Sequence, residues 1–102
     1  MSWNELWPLV NILNEVCHGI KIDIPSKINS SYEKVYELLK KITIYEVNEY
    51  EADIKKEITF KDEEILILKQ CLHEVTIQIE EWEFQTRIGV SLDEIKGNPI
   101  FR

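Results

Sequence analysis

The chain is predicted to be mainly α: two pseudo-repeated helical hairpins packed as a small bundle, with a short β ribbon at about 42–60. Three observations predict this. Apolar residues recur at the three- and four-residue spacing of helices through most of the chain. Serine and glycine signals fall at the ends of those stripes. The C-terminal half also reads as a copy of the N-terminal half. With an offset of 59, Leu6, Leu9, Leu13, Glu15, Val16 and Ile20 fall on Ile65, Leu68, Leu72, Glu74, Val75 and Ile79. One added loop residue then brings Ile24, Lys27, Ile28, Ser31, Glu33 and Val35 onto Phe84, Arg87, Ile88, Ser91, Asp93 and Ile95. The reading is a single domain: repeat one at about 1–41, an acidic linker at about 42–60, and repeat two at about 61–102.

The first helix is expected over roughly 3–18, with Leu6, Leu9/Val10, Leu13, Val16/Cys17 and Ile20 on its core stripe. Ser2 and Glu5 form a capping box, and Gly19 is the stop. Pro8 lies past the first turn, where it removes a hydrogen bond, so the helix either kinks there or begins near it. Residues 20–29 form a loop with Ile20, Ile22 and Ile24 against the core. Ser30 and Ser31 announce a second helix whose stripe is Tyr32, Val35/Tyr36, Leu39 and Ile42. Lys40 and Lys41 suit its negative end.

Residues 42–60 begin with the β-branched and aromatic run Ile42-Thr43-Ile44-Tyr45-Glu46-Val47, which favours a strand, with Ile54, Ile58 and Phe60 lining a second. Val47, Tyr50, Ile54 and Ile58 also fit a helix, and the ribbon is preferred. A third helix at about 62–78 copies the first, with Glu64 standing where Glu5 does. Its stripe is Ile65, Leu68, Leu72, Val75 and Ile79. Residues 79–90 are read as the connecting segment. A short fourth helix begins at Ser91, with Glu94 as capping partner, and ends at Gly97-Asn98-Pro99.

Apolar residues make up 44% of the chain, with only three glycines, which is ample material for a core. No run of about 18 apolar residues offers a membrane span. The N-terminus carries Glu5 and Pro8 without a cationic start, so no signal peptide is read and a cytoplasmic location is expected. Cys17 and Cys71 are then small buried hydrophobes rather than a disulfide.

The net charge of −7 is unevenly distributed. Residues 1–41 hold five acids and five bases, leaving fourteen acids against seven bases in residues 42–102. The densest acidic run lies between Glu46 and Glu57, and a second, Glu80, Glu81 and Glu83, surrounds Trp82. Such a field repels nucleic acid and attracts basic proteins. Aromatics flanked by charge fit interface anchors with a steering rim. The candidate partner-binding residues are therefore Tyr45, Glu46, Glu49, Tyr50, Glu51, Asp53, Glu80, Glu81 and Glu83.

Other chemistry is poorly served by the sequence. Cys17 and His18 are adjacent, and Cys71 and His73 are two apart, so neither pair shares a helix face as metal ligands must. Glu15 and Glu74 are expected to be structural carboxylates, with Lys27 and Arg87 as cationic partners, one per repeat. No phosphate loop, nucleophile elbow or metalloprotease motif occurs. No catalytic residue, cofactor or metal is expected.

The stretches Leu72-His73-Glu74-Val75 and Glu81-Trp82-Glu83-Phe84-Gln85-Thr86-Arg87-Ile88-Gly89-Val90-Ser91-Leu92-Asp93-Glu94-Ile95 resemble a pattern of small bacterial helical proteins. Leu13-Asn14-Glu15-Val16-Cys17-His18-Gly19-Ile20 looks like the front of the same unit. Proteins of this kind recur as immunity proteins beside polymorphic and contact-dependent growth-inhibition toxins. In the pattern Phe84, Arg87, Gly89 and Ser91 look like scaffold residues. The first half departs from it, with Pro25, Lys27 and Asn29 where the second has Gln85, Arg87 and Gly89. The resemblance implies an immunity protein that occludes the active or substrate-binding surface of a toxin domain, a basic nuclease being the kind that acidity favours. The alternative is a homo-oligomeric structural or adaptor module.

Overall fold

The computed structural model describes residues 1–28 and 30–102. Asn29, aligned above with Gly89, lies outside the described residues. The fold is mainly helical: α1 (Trp3–Asn14) running into a π turn (Glu15–Gly19), α2 (Ile24–Lys27), α3 (Tyr32–Thr43), α4 (Asp62–Gln78), α5 (Glu81–Ile88), α6 (Leu92–Lys96) and a closing 3-10 turn (Pro99–Phe101). The Cα radius of gyration is 12.9 Å, the value of one compact body at this length.

The helix α1 lies at the centre, packed against α3, α4 and α5. Its Leu6, Leu9, Ile12 and Leu13 are fully buried, and Val16 of the π turn nearly so. Ile12 joins the expected stripe because α1 meets neighbours on more than one side. Pro8 neither starts nor ends the helix, which runs from Trp3 through it. Glu5 Oε1 accepts from the Ser2 amide at 2.9 Å, satisfying a donor that the first turn leaves free. Glu64 does the same for the Lys61 amide at 2.8 Å, so α4 opens as α1 does.

Serine caps α3 and α6. Ser31 Oγ accepts from the Lys34 amide at 3.2 Å, and Ser91 Oγ from the Glu94 amide at 3.2 Å. The buried face of α3 is Val35, Leu38, Leu39 and Ile42. Tyr32 and Tyr36, expected on that stripe, are exposed. They stack with ring centroids 6.0 Å apart, and Lys40 Nζ lies 5.0 Å from the Tyr36 ring centre. Leu38 displaces them because it extends the Val35–Leu39–Ile42 face without a polar atom. In α4 the buried set is similarly turned, to Ile67, Leu68, Cys71, Glu74 and Val75, while Ile65 and Leu72 sit at its edge.

Three further corrections concern the connections. Residues 42–60 form no strand, and no helix beyond Thr43. Their amides go into local turns instead: the Asn48 side chain accepts from the Tyr50 and Glu51 amides at 3.0 and 3.2 Å. An Asx turn of this kind competes directly with a ladder. The connecting segment 79–90 contains a whole helix, α5. Its acidic first turn (Glu81, Glu83), Arg87 in the last turn, and Gly89 as C-cap at φ 97° are ordinary helix signals. Residues 20–28 likewise hold the single turn α2, with Ile24 buried beneath it.

The carboxyls of Glu5 and Glu64 are both held below their ordinary value of 4.5. For Glu5 the Ser2 amide is the largest cause and Lys55, 2.9 Å away, the next. For Glu64 burial works the other way, but Lys41 at 2.8 Å and the Lys61 amide together outweigh it. A depressed folded pKa stabilises above the unfolded value and loses that contribution as pH falls through the folded one. Stability measured by urea unfolding should therefore drop on acidification from about pH 5 to about pH 3. The Glu5→Gln/Glu64→Gln variant should be less stable at neutral pH and lose less over that window.

Candidate functional site

The acidic segment after α3 is irregular but pinned. The Asn4 amide donates to Ala52 O at 3.1 Å, and the Lys56 amide to Met1 O at 2.9 Å. Asn4 Nδ2 donates to Asp53, and Lys55 Nζ pairs with Glu5. Farther along, Lys41 Nζ donates to Thr59 O at 2.6 Å. Ala52 is buried beneath the turn, so the segment has a small apolar foot. The start of α1 thus holds the loop whose carboxylates face solvent.

The sequence-derived candidates divide on this frame. Glu46, Glu49, Tyr50 and Glu51 are exposed, and Tyr50 stands out at 88% exposure. Asp53 is exposed but engaged by Asn4, and Tyr45 is half-buried against the core. Glu80 and Glu81 are exposed at the start of α5, with Trp82 76% exposed between Glu81 and Glu83. Glu81 lines a shallow hollow with Gln85, Asp93 and Lys96. Glu83 lies 3.5 Å from Arg87 instead. The α5 acids therefore do not share a cavity wall with the loop acids.

Arg87 is the hinge of the second cluster. Its Nε and Nη2 meet Glu15 Oε1 and Oε2 at 3.1 and 2.7 Å, a fork-to-fork pair. The expected pairing of Glu15 with Lys27 does not form. Lys27 is exposed, and Glu15 takes its cation from the other half of the chain. Glu74 is buried, without an ion pair among the described residues. A Cβ at Gly19 would overlap the Glu15 carboxylate, so that glycine makes room for the pair.

Between the loop and α1 lies a hollow of about 460 Å³ that the sequence reading missed. Its apolar lining is Trp3, Trp7 and Val10 from α1 with Val47 and Ala52 from the loop. Glu46 and Glu49 are its only charged lining residues, beside Asn4 and Asn11. The signal was present in the sequence: Trp3, Trp7 and Val10 form a second stripe on α1, four and three residues apart, away from the leucines. Trp7 is fixed from behind by Gly89, where a Cβ would overlap its ring. Asn11 Nδ2 donates to Ile88 O at 2.8 Å, tying the same wall to the end of α5.

The remaining reactive groups are placed structurally. Burial pushes the Cys71 thiol up to about 12 and raises Cys17 as well, so neither is primed as a nucleophile. His18 meets Tyr32 edge-on at 6.3 Å. Among the described residues no group of three or more His, Cys, Asp or Glu stands close enough to hold a metal, and no helix is long and apolar enough to cross a membrane. No protein-family model, curated protein or solved structure matches the chain.

Gly89→Ala should destabilise the protein by about 2–4 kcal/mol, combining a left-handed backbone penalty with overpacking against Trp7. Chemical denaturation checks this. A loss below about 0.5 kcal/mol would mean that Trp7 does not rest on this turn.

Proposed function

We propose that the chain is an immunity-type protein that binds and neutralises a cognate bacterial toxin domain, most simply a basic nuclease, by covering its cationic cleft. It would act in the cytoplasm by binding rather than by catalysis. The observation that carries this reading is the pinned loop. Glu46, Glu49 and Glu51 stand exposed around Tyr50 on a segment anchored to α1 by backbone hydrogen bonds. A cation-binding surface fixed before the encounter loses little freedom on association, and its field steers a basic partner. The exposed Trp82, flanked by Glu81 and Glu83, supplies a second contact of the same kind.

The same reading takes the two halves as a duplicated unit that has diverged. In its favour are the equivalent Glu5 and Glu64 bonds and the Ser31 and Ser91 caps. The cross-half Glu15–Arg87 pair would be a later departure from one pair per unit. Homo-oligomeric assembly is the second reading, favoured by the exposed Ile44, Ile54, Leu66 and Ile77.

Glu46, Glu49 and Glu51 changed together to Ser should slow association with the toxin domain about tenfold or more at low salt, and less at high salt. Circular dichroism and urea unfolding should be unchanged, because none of the three holds the loop. Stopped-flow mixing with the cognate toxin domain is the measurement. Association at the wild-type rate would remove the loop from the interface.

A further inference from the structure

We infer that the Trp3–Trp7 hollow is a socket for an arginine side chain of the partner. This rests on the reading of the acidic loop as a surface for a basic protein, and adds the chemistry of the contact. Three features point to a guanidinium. First, the walls are aromatic and apolar, while the charged lining is two carboxylates and no base. A planar, weakly hydrated cation that stacks on indole and takes carboxylates in a fork fits such a lining better than a compact ammonium.

Second, each of the two amides in the lining already gives one N–H to a partner of its own. Asn4 Nδ2 goes to the Asp53 carboxylate and Asn11 Nδ2 to the Ile88 carbonyl. Both partners only accept, which fixes which amide atom is which. Each Oδ1 is left without a donor among the described residues. Two amide oxygens with no donor of their own thus belong to lining residues that also include the carboxylates, and guanidinium carries five donors and no acceptor.

Third, the walls are set in the free protein. Trp7 is backed by Gly89, Asn11 is held by α5, and Asn4 clamps the loop through both its backbone and its side chain. The volume of about 460 Å³ lies within the range of small-ligand clefts and admits one extended side chain with water to displace. Tyr50, exposed on the same loop, would then cover the neighbouring backbone of the partner.

The test is a ¹H–¹⁵N NMR titration of the whole protein with the capped peptide acetyl-Gly-Arg-Gly-amide. The three indole N–H signals are assigned with W3F, W7F and W82F. Saturable shifts of the Trp3 and Trp7 signals are expected, with Trp82 unmoved. The peptide with citrulline in place of arginine should give no saturable shift, and the lysine peptide should bind at least about threefold more weakly. Glu46→Gln/Glu49→Gln should weaken arginine-peptide binding about tenfold, with backbone signals outside the loop unchanged. Shifts that fail to saturate, that move all three indoles alike, or that citrulline reproduces would overturn the socket. That result would leave the acidic-loop reading intact if the triple Ser variant still associates slowly. If the triple variant associates normally while the arginine peptide saturates Trp3 and Trp7, the hollow takes arginine but lies outside the toxin interface, and both the occlusion reading and the assignment of the socket to that partner fall.

Discussion

Everything in this molecule is arranged around the burial of α1. A helix with Leu6, Leu9, Ile12 and Leu13 all without solvent contact must be covered on several sides at once. The three coverings come from well-separated parts of the chain: α3, α4 and α5. At roughly 1.5–3 kcal/mol per large aliphatic side chain, these four residues outweigh any single polar contact described above. The ion pairs are better understood as fixing geometry. Glu15–Arg87 sets where α5 meets the end of α1, and Lys41–Glu64 sets α3 against α4. Both are partly exposed, so specificity of arrangement is a larger part of their effect than free energy.

The acidic segment follows from the same constraint. It has the composition to be mobile, with charged residues and few buried apolar groups. It is nevertheless held, because the first turn of α1 has free backbone donors and a polar outer edge to which it attaches. The Asn4 amide would otherwise face water at the helix start. Using it to bind Ala52 O converts an end effect into an anchor for the loop. The charged rim thereby inherits the rigidity of the most buried helix, and the hollow between them has walls from both.

Much of this fold was legible in the sequence. The bounds of α4, the Ser31 and Ser91 caps and the Glu5/Glu64 equivalence could be read because each depends on residues within four positions. What escaped depends on distance or on competition between signals. Tyr32 and Tyr36 fit the core stripe as well as Leu38 does, in neighbouring phases, and only the position of α1 decides between them. Residues 42–60 carry β-formers, yet Asn48 breaks the segment by offering its own oxygen to the amides two and three residues on. The helix α5 was hidden by its flanking acids and by a repeat alignment that treated Arg87 and Gly89 as loop residues. Of the candidate surface, the exposed loop acids were visible as a charge run. The Trp3–Trp7 wall was not, because a second apolar stripe on a helix that already carries a leucine stripe reads as more core. The Glu15–Arg87 pair joins residues 72 positions apart, and no local pattern announces that.

The long reach of these contacts has a consequence for how the protein comes into being. Asn98 Nδ2 donates to Glu5 O at 2.8 Å, so the opening turn of α1 is completed by a side chain 93 residues downstream. During synthesis the first helix can collapse early onto α3, but its α4 and α5 faces stay uncovered for roughly 2–9 seconds more at ordinary elongation rates. Maturation would then be a late, abrupt event rather than a gradual one.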